Sequence, residues 1–179
     1  MRKTACFVVA AVLVLGAGSA FGQECKRINV QFQEPAEFIV PGDQLFDDYV
    51  PLIEARFGVT FVPPDDWCWA QRAVGTIRGT WIACGKIDLS IFDPFGFGIN
   101  TELWGNPGIL VGRKGNLFTM SYGVAKWADP ETMTALGGVT YYEGTTGRYE
   151  GLIGWATDRP MHYPPSFWVR SVGLICMPE

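Results

Sequence analysis

Residues 73–91 (AVGTIRGTWIACGKIDLSI) alternate over most of their length. Ala73, Ile77, Trp81, Ala83, Ile87, Leu89 and Ile91 share one parity with Gly75, Gly79 and Gly85. The other includes Thr76, Arg78, Thr80, Lys86, Asp88 and Ser90. Successive side chains of a strand face opposite sides, so a period of two over this length is a β signature. It predicts one long strand, or a hairpin bent at a glycine. Glycines repeated on the apolar face suit a strongly curved sheet, where they relieve crowding at a bend.

The rest of the chain continues in the same style. Residues 28–33 alternate, and 108–111, 117–127, 139–143, 149–157 and 167–176 read as further short strands. Gly, Pro, Asn and Asp separate them, with 93–98 and 105–108 as turn-rich stretches. The 22 Gly and 12 Pro are too many for a helical bundle, and 14% aromatic residues fit strands better. Two segments carry helical marks. In 129–136, Asp129 is a candidate N-cap, Pro130 the first helical position and Gly137 the stop, which predicts two turns. In 43–56, Leu45, Phe46, Tyr49, Leu52 and Ile53 have helical spacing, but Pro51 interrupts it. That segment is expected to be a loop with at most one helical turn.

The expected fold is all-β: an antiparallel sandwich or a closed barrel, with at most one or two short helices. Closure is the more economical, because it leaves no sheet edge exposed. A chain of 179 residues supports one such domain, and no linker or repeat divides it.

Residues 1–22 are set aside as an address. Arg2 and Lys3 precede an apolar run over 5–15, and small residues follow, with Ala20 and Gly22 before a cut at Gln23. This is the layout of a secretory signal peptide. The run falls short of the roughly 18–20 residues that span a bilayer. The expected product is a single domain, 23–179, secreted or periplasmic and without a membrane anchor after cleavage. It would keep 12 basic and 18 acidic residues, a net charge of −6. Such a domain has no reason to prefer nucleic acid.

Four cysteines remain: Cys25, Cys68, Cys84 and Cys176. An even number in an exported chain reads as two disulfides, for which three pairings exist. Cys68–Cys84 with Cys25–Cys176 is favoured, since the first two are close in the chain and the others would join the start and end of a closed sheet. No CxxC occurs and the chain has one histidine, so neither metal nor cofactor is expected.

No familiar constellation offers a reaction. His162 lies in a proline-rich stretch, 159–165, read as a solvent-facing loop, and G-x-S-x-G is absent. Asp47-Asp48 and Asp65-Asp66 are adjacent carboxylates that an extended chain points to opposite sides, and they read as solvated loop acids. The segment 144–151 lacks the Gly-Lys-Ser/Thr ending of a phosphate-cradling loop and reads as a hairpin turn. Seven tryptophans suggest core and cavity wall. Trp81, Trp155, Tyr122 and Tyr141 are candidate cavity-lining residues. Arg78, with Tyr122, is a candidate oriented polar group if the polar strand faces point inward.

The segment 137–154 (GGVTYYEGTTGRYEGLIG) resembles a signature of the allene oxide cyclase and dirigent barrel superfamily, through Gly144, Thr145, Gly147, Arg148, Tyr149, Gly151 and Gly154. Upstream, 74–81 (VGTIRGTW) is similar to that family's Val-Gly-x-x-x-Gly-x-aromatic strand, and the last strand stands where the family would place it. The likeness covers residues 72–176. It implies an eight-stranded, calycin-like antiparallel barrel with an apolar cavity. It further implies binding of a small apolar or aromatic molecule, and, if the protein is an enzyme, a cofactor-independent cyclase, isomerase or coupling guide. Four exported cysteines and Thr146 in the turn depart from the pattern, and no matched position carries the family's catalytic carboxylate. The alternative is a non-catalytic secreted binding or structural module with a packed barrel core that acts through its loops. Oligomeric state is not legible.

Overall fold

The structure, a computed structural model, describes residues 24–63, 65–85, 101–129, 132–162 and 168–178. Eight strands run in chain order: β1 (Cys25–Ile39), β2 (Trp67–Gly75), β3 (Gly79–Gly85), β4 (Thr101–Gly112), β5 (Gly115–Asp129), β6 (Thr132–Gly144), β7 (Ile153–His162) and β8 (Trp168–Cys176). Each pairs antiparallel with its sequence neighbour, and β1 pairs with β8, so the sheet closes into a barrel. The expected all-β barrel is therefore present. The alternating stretch from residue 73 is a hairpin, β2 to β3, bent just after Gly75. Its residues 86–91 and the turn over 93–98 lie outside the described residues.

Two apolar cores result. The inner one gathers Ile28, Val30, Phe32, Ala73, Trp81, Ala83, Leu110, Leu117, Tyr142, Ala156 and Ile175, inward-facing positions of all eight strands. Ile77, Tyr149 and Leu152 close one end, where the β2–β3, β4–β5 and β6–β7 connections lie. The second core is outside the barrel. There α1 (Gln44–Phe57) lays Val50 and Ile53 on Ile82, Cys84 and Ile109.

That helix corrects the expectation of a loop at 43–56. Pro51 lies inside it and removes one backbone donor, but the helix is fixed by packing rather than by propensity. The apolar face covers the outward side of β3 and β4, Phe57 meets Phe118 edge-on at 5.9 Å, and Arg56 pairs with Glu143 of β6.

The two-turn helix expected at 129–136 is also absent. β5 continues to Asp129 and β6 begins at Thr132, with Trp127 opposite Met133 and Asp129 opposite Thr132. A two-turn helix has too few internal hydrogen bonds to compete with a ladder between long strands. Residues 105–108, read as a turn, belong to β4. The described β3–β4 register ends at Ala83 opposite Gly108, so Pro107 lies just beyond it and its missing N–H interrupts none of the described pairs of that ladder. His162 ends β7 opposite Trp168 instead of lying in a loop. The sequence 149–157 begins with a 3-10 turn (Gly147–Tyr149) before β7.

Both disulfides are cross-strand. Cys25 joins Cys176, its direct partner in the β1–β8 ladder, across the closing seam of the barrel. Cys68 joins Cys84, its direct partner between β2 and β3, beneath α1. Such bonds fit an oxidising location. Among the described residues no helix is long and apolar enough to cross a membrane.

Candidate functional site

Strand parity decides which side chains meet inside the barrel. On β5 the inward residues are Leu117, Thr119 and Ser121; on β6, Thr140 and Tyr142; on β7, Ala156 and Asp158; on β8, Ser171 and Ile175. The wall is thus apolar toward the end closed by Ile77 and Tyr149, and turns polar toward the other end. The hydroxyls of Ser121, Thr140, Tyr142 and Ser171 and the Asp158 carboxyl gather in that polar part.

Asp158 is its centre. It stands directly opposite Ser171 on β8 and opposite Gly138 on β6. Thr140 donates to Asp158 Oδ2 at 2.5 Å. Thr140 and Ser121 hydroxyls are 2.9 Å apart, and Tyr142 donates to Ser171 at 2.8 Å. Thr140 has one proton and gives it to the carboxylate, so Ser121 must donate to Thr140. The order Tyr142 to Ser171 on one side and Ser121 to Thr140 on the other aims the hydroxyl hydrogens at a single carboxylate.

Burial nevertheless raises the Asp158 pKa above its ordinary value, against the lowering effect of the Ser171 and Thr140 hydrogen bonds. Burial also raises the Tyr142 phenol, and the nearby Asp158 charge adds to it. Asp158 Oδ1 is shut off from solvent and has no hydrogen-bond partner among the described residues. A buried carboxylate oxygen left unpaired is costly, and few such atoms occur in folded proteins.

The strand order places an aromatic group on the other wall. Phe32 and Trp81 have ring centroids 4.5 Å apart, and Trp69 meets Trp81 nearly perpendicularly at 6.0 Å. Trp81 Nε1 donates to Thr119 Oγ1 at 3.0 Å, reaching over β4 from β3 to β5. Gly108 allows this crossing: a Cβ there would lie 2.9 Å from Thr119 Oγ1 and 3.1 Å from Trp81 Nε1.

Of the five residues expected to line a cavity, the structure turns Trp81 inward, 8% exposed. Tyr122 and Trp155 are outside, 47% and 55% exposed, because the inward positions of their strands belong to Ser121 and Ala156. Tyr141 faces outward beside Trp155, rings 5.1 Å apart, since Tyr142 takes the inner place. Arg78 is exposed in the β2–β3 turn. The carboxylate pairs also differ from expectation. Asp47 and Asp48 are on α1, and Asp66 is buried, its carboxylate accepting from the Val62 amide at 2.7 Å.

Asp158, Ser171, Thr140 and Ser121 went unnoticed in the sequence. The available signal was parity: in β7 (IGWATDRPMH), Asp158 shares its face with Gly154 and Ala156, an unusual companion for small residues.

No family model matches the chain, and no curated protein matches it. Among solved structures it is similar to the crystal structure of the Diels-Alderase AbmU from Streptomyces koyangensis, with a TM-score of 0.48 and 12% identity, over 99% of this chain and 82% of that one. Likeness of that degree is silent on chemistry.

Proposed function

We propose that the chain is exported and that its barrel takes in a small apolar or aromatic molecule between the Phe32–Trp69–Trp81 wall and the Asp158 ledge. The reading is in the manner of the allene oxide cyclase and dirigent barrels that residues 137–154 resemble. The observation that carries it is the Asp158 carboxyl, half-buried inside the barrel, with Oδ1 shut off from solvent and without a partner among the described residues. A ligand oxygen bearing hydrogen satisfies that atom, while the aromatic wall supplies apolar contact. Its raised pKa keeps the carboxyl neutral over a wider pH range, so it can also donate to an epoxide or carbonyl oxygen. An enzyme with this geometry is a cyclase or isomerase working by shape, desolvation and one acid–base group, with no need of a cofactor.

The test is tryptophan fluorescence titrated with a panel of fatty acids and phenols. Trp81 and Trp69 should report saturable binding, and Asp158→Asn should weaken oxygen-bearing ligands about tenfold or more. The packing of Phe32, Trp69 and Trp81 favours a second reading, a filled barrel acting through its loops. No response across the panel would establish that module in place of the ligand-binding barrel.

A further inference from the structure

The opposite end of the barrel holds a second feature, independent of the Asp158 ledge. A depression of about 260 Å³ there is walled by Lys26, Arg27, Lys114 and Arg148, above Ile77 and Tyr149. The chain as a whole is acidic, with a net charge of −4, yet four cations meet in this place. Lys26 has an ion pair, to Glu24 at 3.0 Å. Among the described residues, Arg27, Lys114 and Arg148 have no carboxylate within ion-pairing distance. Like charges brought together on a fold repel, unless a counter-charge joins them.

The fold holds the cluster in place. The Arg148 amide donates to the Lys114 carbonyl at 2.7 Å, and the Asn116 amide donates to the Thr146 hydroxyl at 2.9 Å, which ties the β4–β5 turn to the β6–β7 connection. Lys26 Nζ donates to the Arg148 carbonyl at 3.1 Å. Gly115 and Gly147, at φ 137° and 62°, make this interlock feasible. A Cβ on Gly115 would lie 2.0 Å from the Thr146 carbonyl oxygen, and one on Gly147 2.5 Å from that of Lys114. Lys114 and Arg148 are therefore presented side by side by rigid backbone. The Arg148, Tyr149, Glu150 and Gly151 amides are all bonded within the fold, so an anion here meets side chains and not a cradle of N–H groups.

We infer that this depression binds a small, doubly charged oxyanion, a phosphate or sulfate group. Four cations against one carboxylate leave a formal excess that a single carboxylate ligand would not balance. Arg27 and Arg148 can each offer two parallel donors to such a group. The acidic remainder of the surface repels extended polyanions, which restricts the site to small ligands.

The test uses the isotope-labelled chain with both disulfides formed, followed by amide NMR during titration with sodium phosphate or sodium sulfate at fixed ionic strength. Sodium acetate and chloride serve as controls, and glucose 6-phosphate distinguishes a phosphate ester from the free ion. Saturable shifts confined to residues around 26–27, 76–77, 114–115 and 147–149 are expected, and Lys114→Gln with Arg148→Gln should raise the dissociation constant tenfold or more. Tighter binding of the sugar phosphate assigns an ester, and equal binding assigns the free ion. Shifts of the same size with acetate or chloride would overturn the inference, as would an affinity retained within twofold by a double variant whose spectrum remains that of the fold.

Discussion

Asp158 illustrates how a single residue couples stability to function. Burial raises its pKa from the ordinary 3.8, so the folded chain keeps a proton that the unfolded chain has already released. Stability contributed by this group is therefore complete at low pH, falls as pH rises from about 4 through the raised value, and is level above it. The melting temperature of the wild type relative to Asp158→Asn should decline across that window; a difference that rises with pH would contradict the assignment. Gly108 tests the facing wall. Alanine there would place a Cβ 2.6 Å from the Ile82 carbonyl oxygen and crowd the Trp81–Thr119 hydrogen bond. Gly108→Ala should cost about 1–3 kcal/mol in chemical denaturation. Neither residue was legible as part of a site. Tyr141 and Tyr142 are neighbours of the same type, Trp155 and Ala156 are both apolar, and only the register decides which of each pair faces inward. Trp155 as a cavity candidate has the parity opposite to Asp158, so that expectation leaves Asp158 outside.

Elements were more readable than sites, with two instructive exceptions. The hairpin at residues 73–85 carries its parity openly, because Ala73, Trp81 and Ala83 face the inner core. The outward Ile82 and Cys84 break the apolar-in, polar-out rule, since α1 covers them. That helix was concealed by Pro51, which a local reading weighs heavily, while the partner surface that fixes the helix is distant in sequence. The helix expected at 129–136 failed for the converse reason: good local capping signals yielded to strand pairing. If α1 is held by its outer core, truncating its fully buried anchor should be felt strongly. Ile53→Ala should destabilise the chain by about 2–4 kcal/mol in urea unfolding. A loss under 1 kcal/mol would mean that the helix is only laid on the barrel.

For the whole molecule, the closed sheet was legible from its many strand-like segments and abundant turns, because closure answers the edge problem that strands create. The disulfides act at this scale. Cys25–Cys176 spans 151 residues and holds the seam, while Cys68–Cys84 spans 16 within one hairpin. In the chain-entropy model these loops are worth about 5 and 3 kcal/mol. Replacing Cys25 and Cys176 by alanine should therefore lower stability by roughly 2 kcal/mol more than replacing the hairpin pair, measured by denaturant midpoint and slope. The barrel interior remains the central matter, and carbon-detected NMR of the aspartate carboxyls addresses it most directly. Titrated with acid, the wild type should show one carboxyl, missing in Asp158→Asn, with a midpoint above the ordinary aspartate value, and that midpoint should move when a fatty acid or phenol from the fluorescence panel saturates the chain. A midpoint at or below the ordinary value, unmoved by every compound, would contradict a ligand site at Asp158.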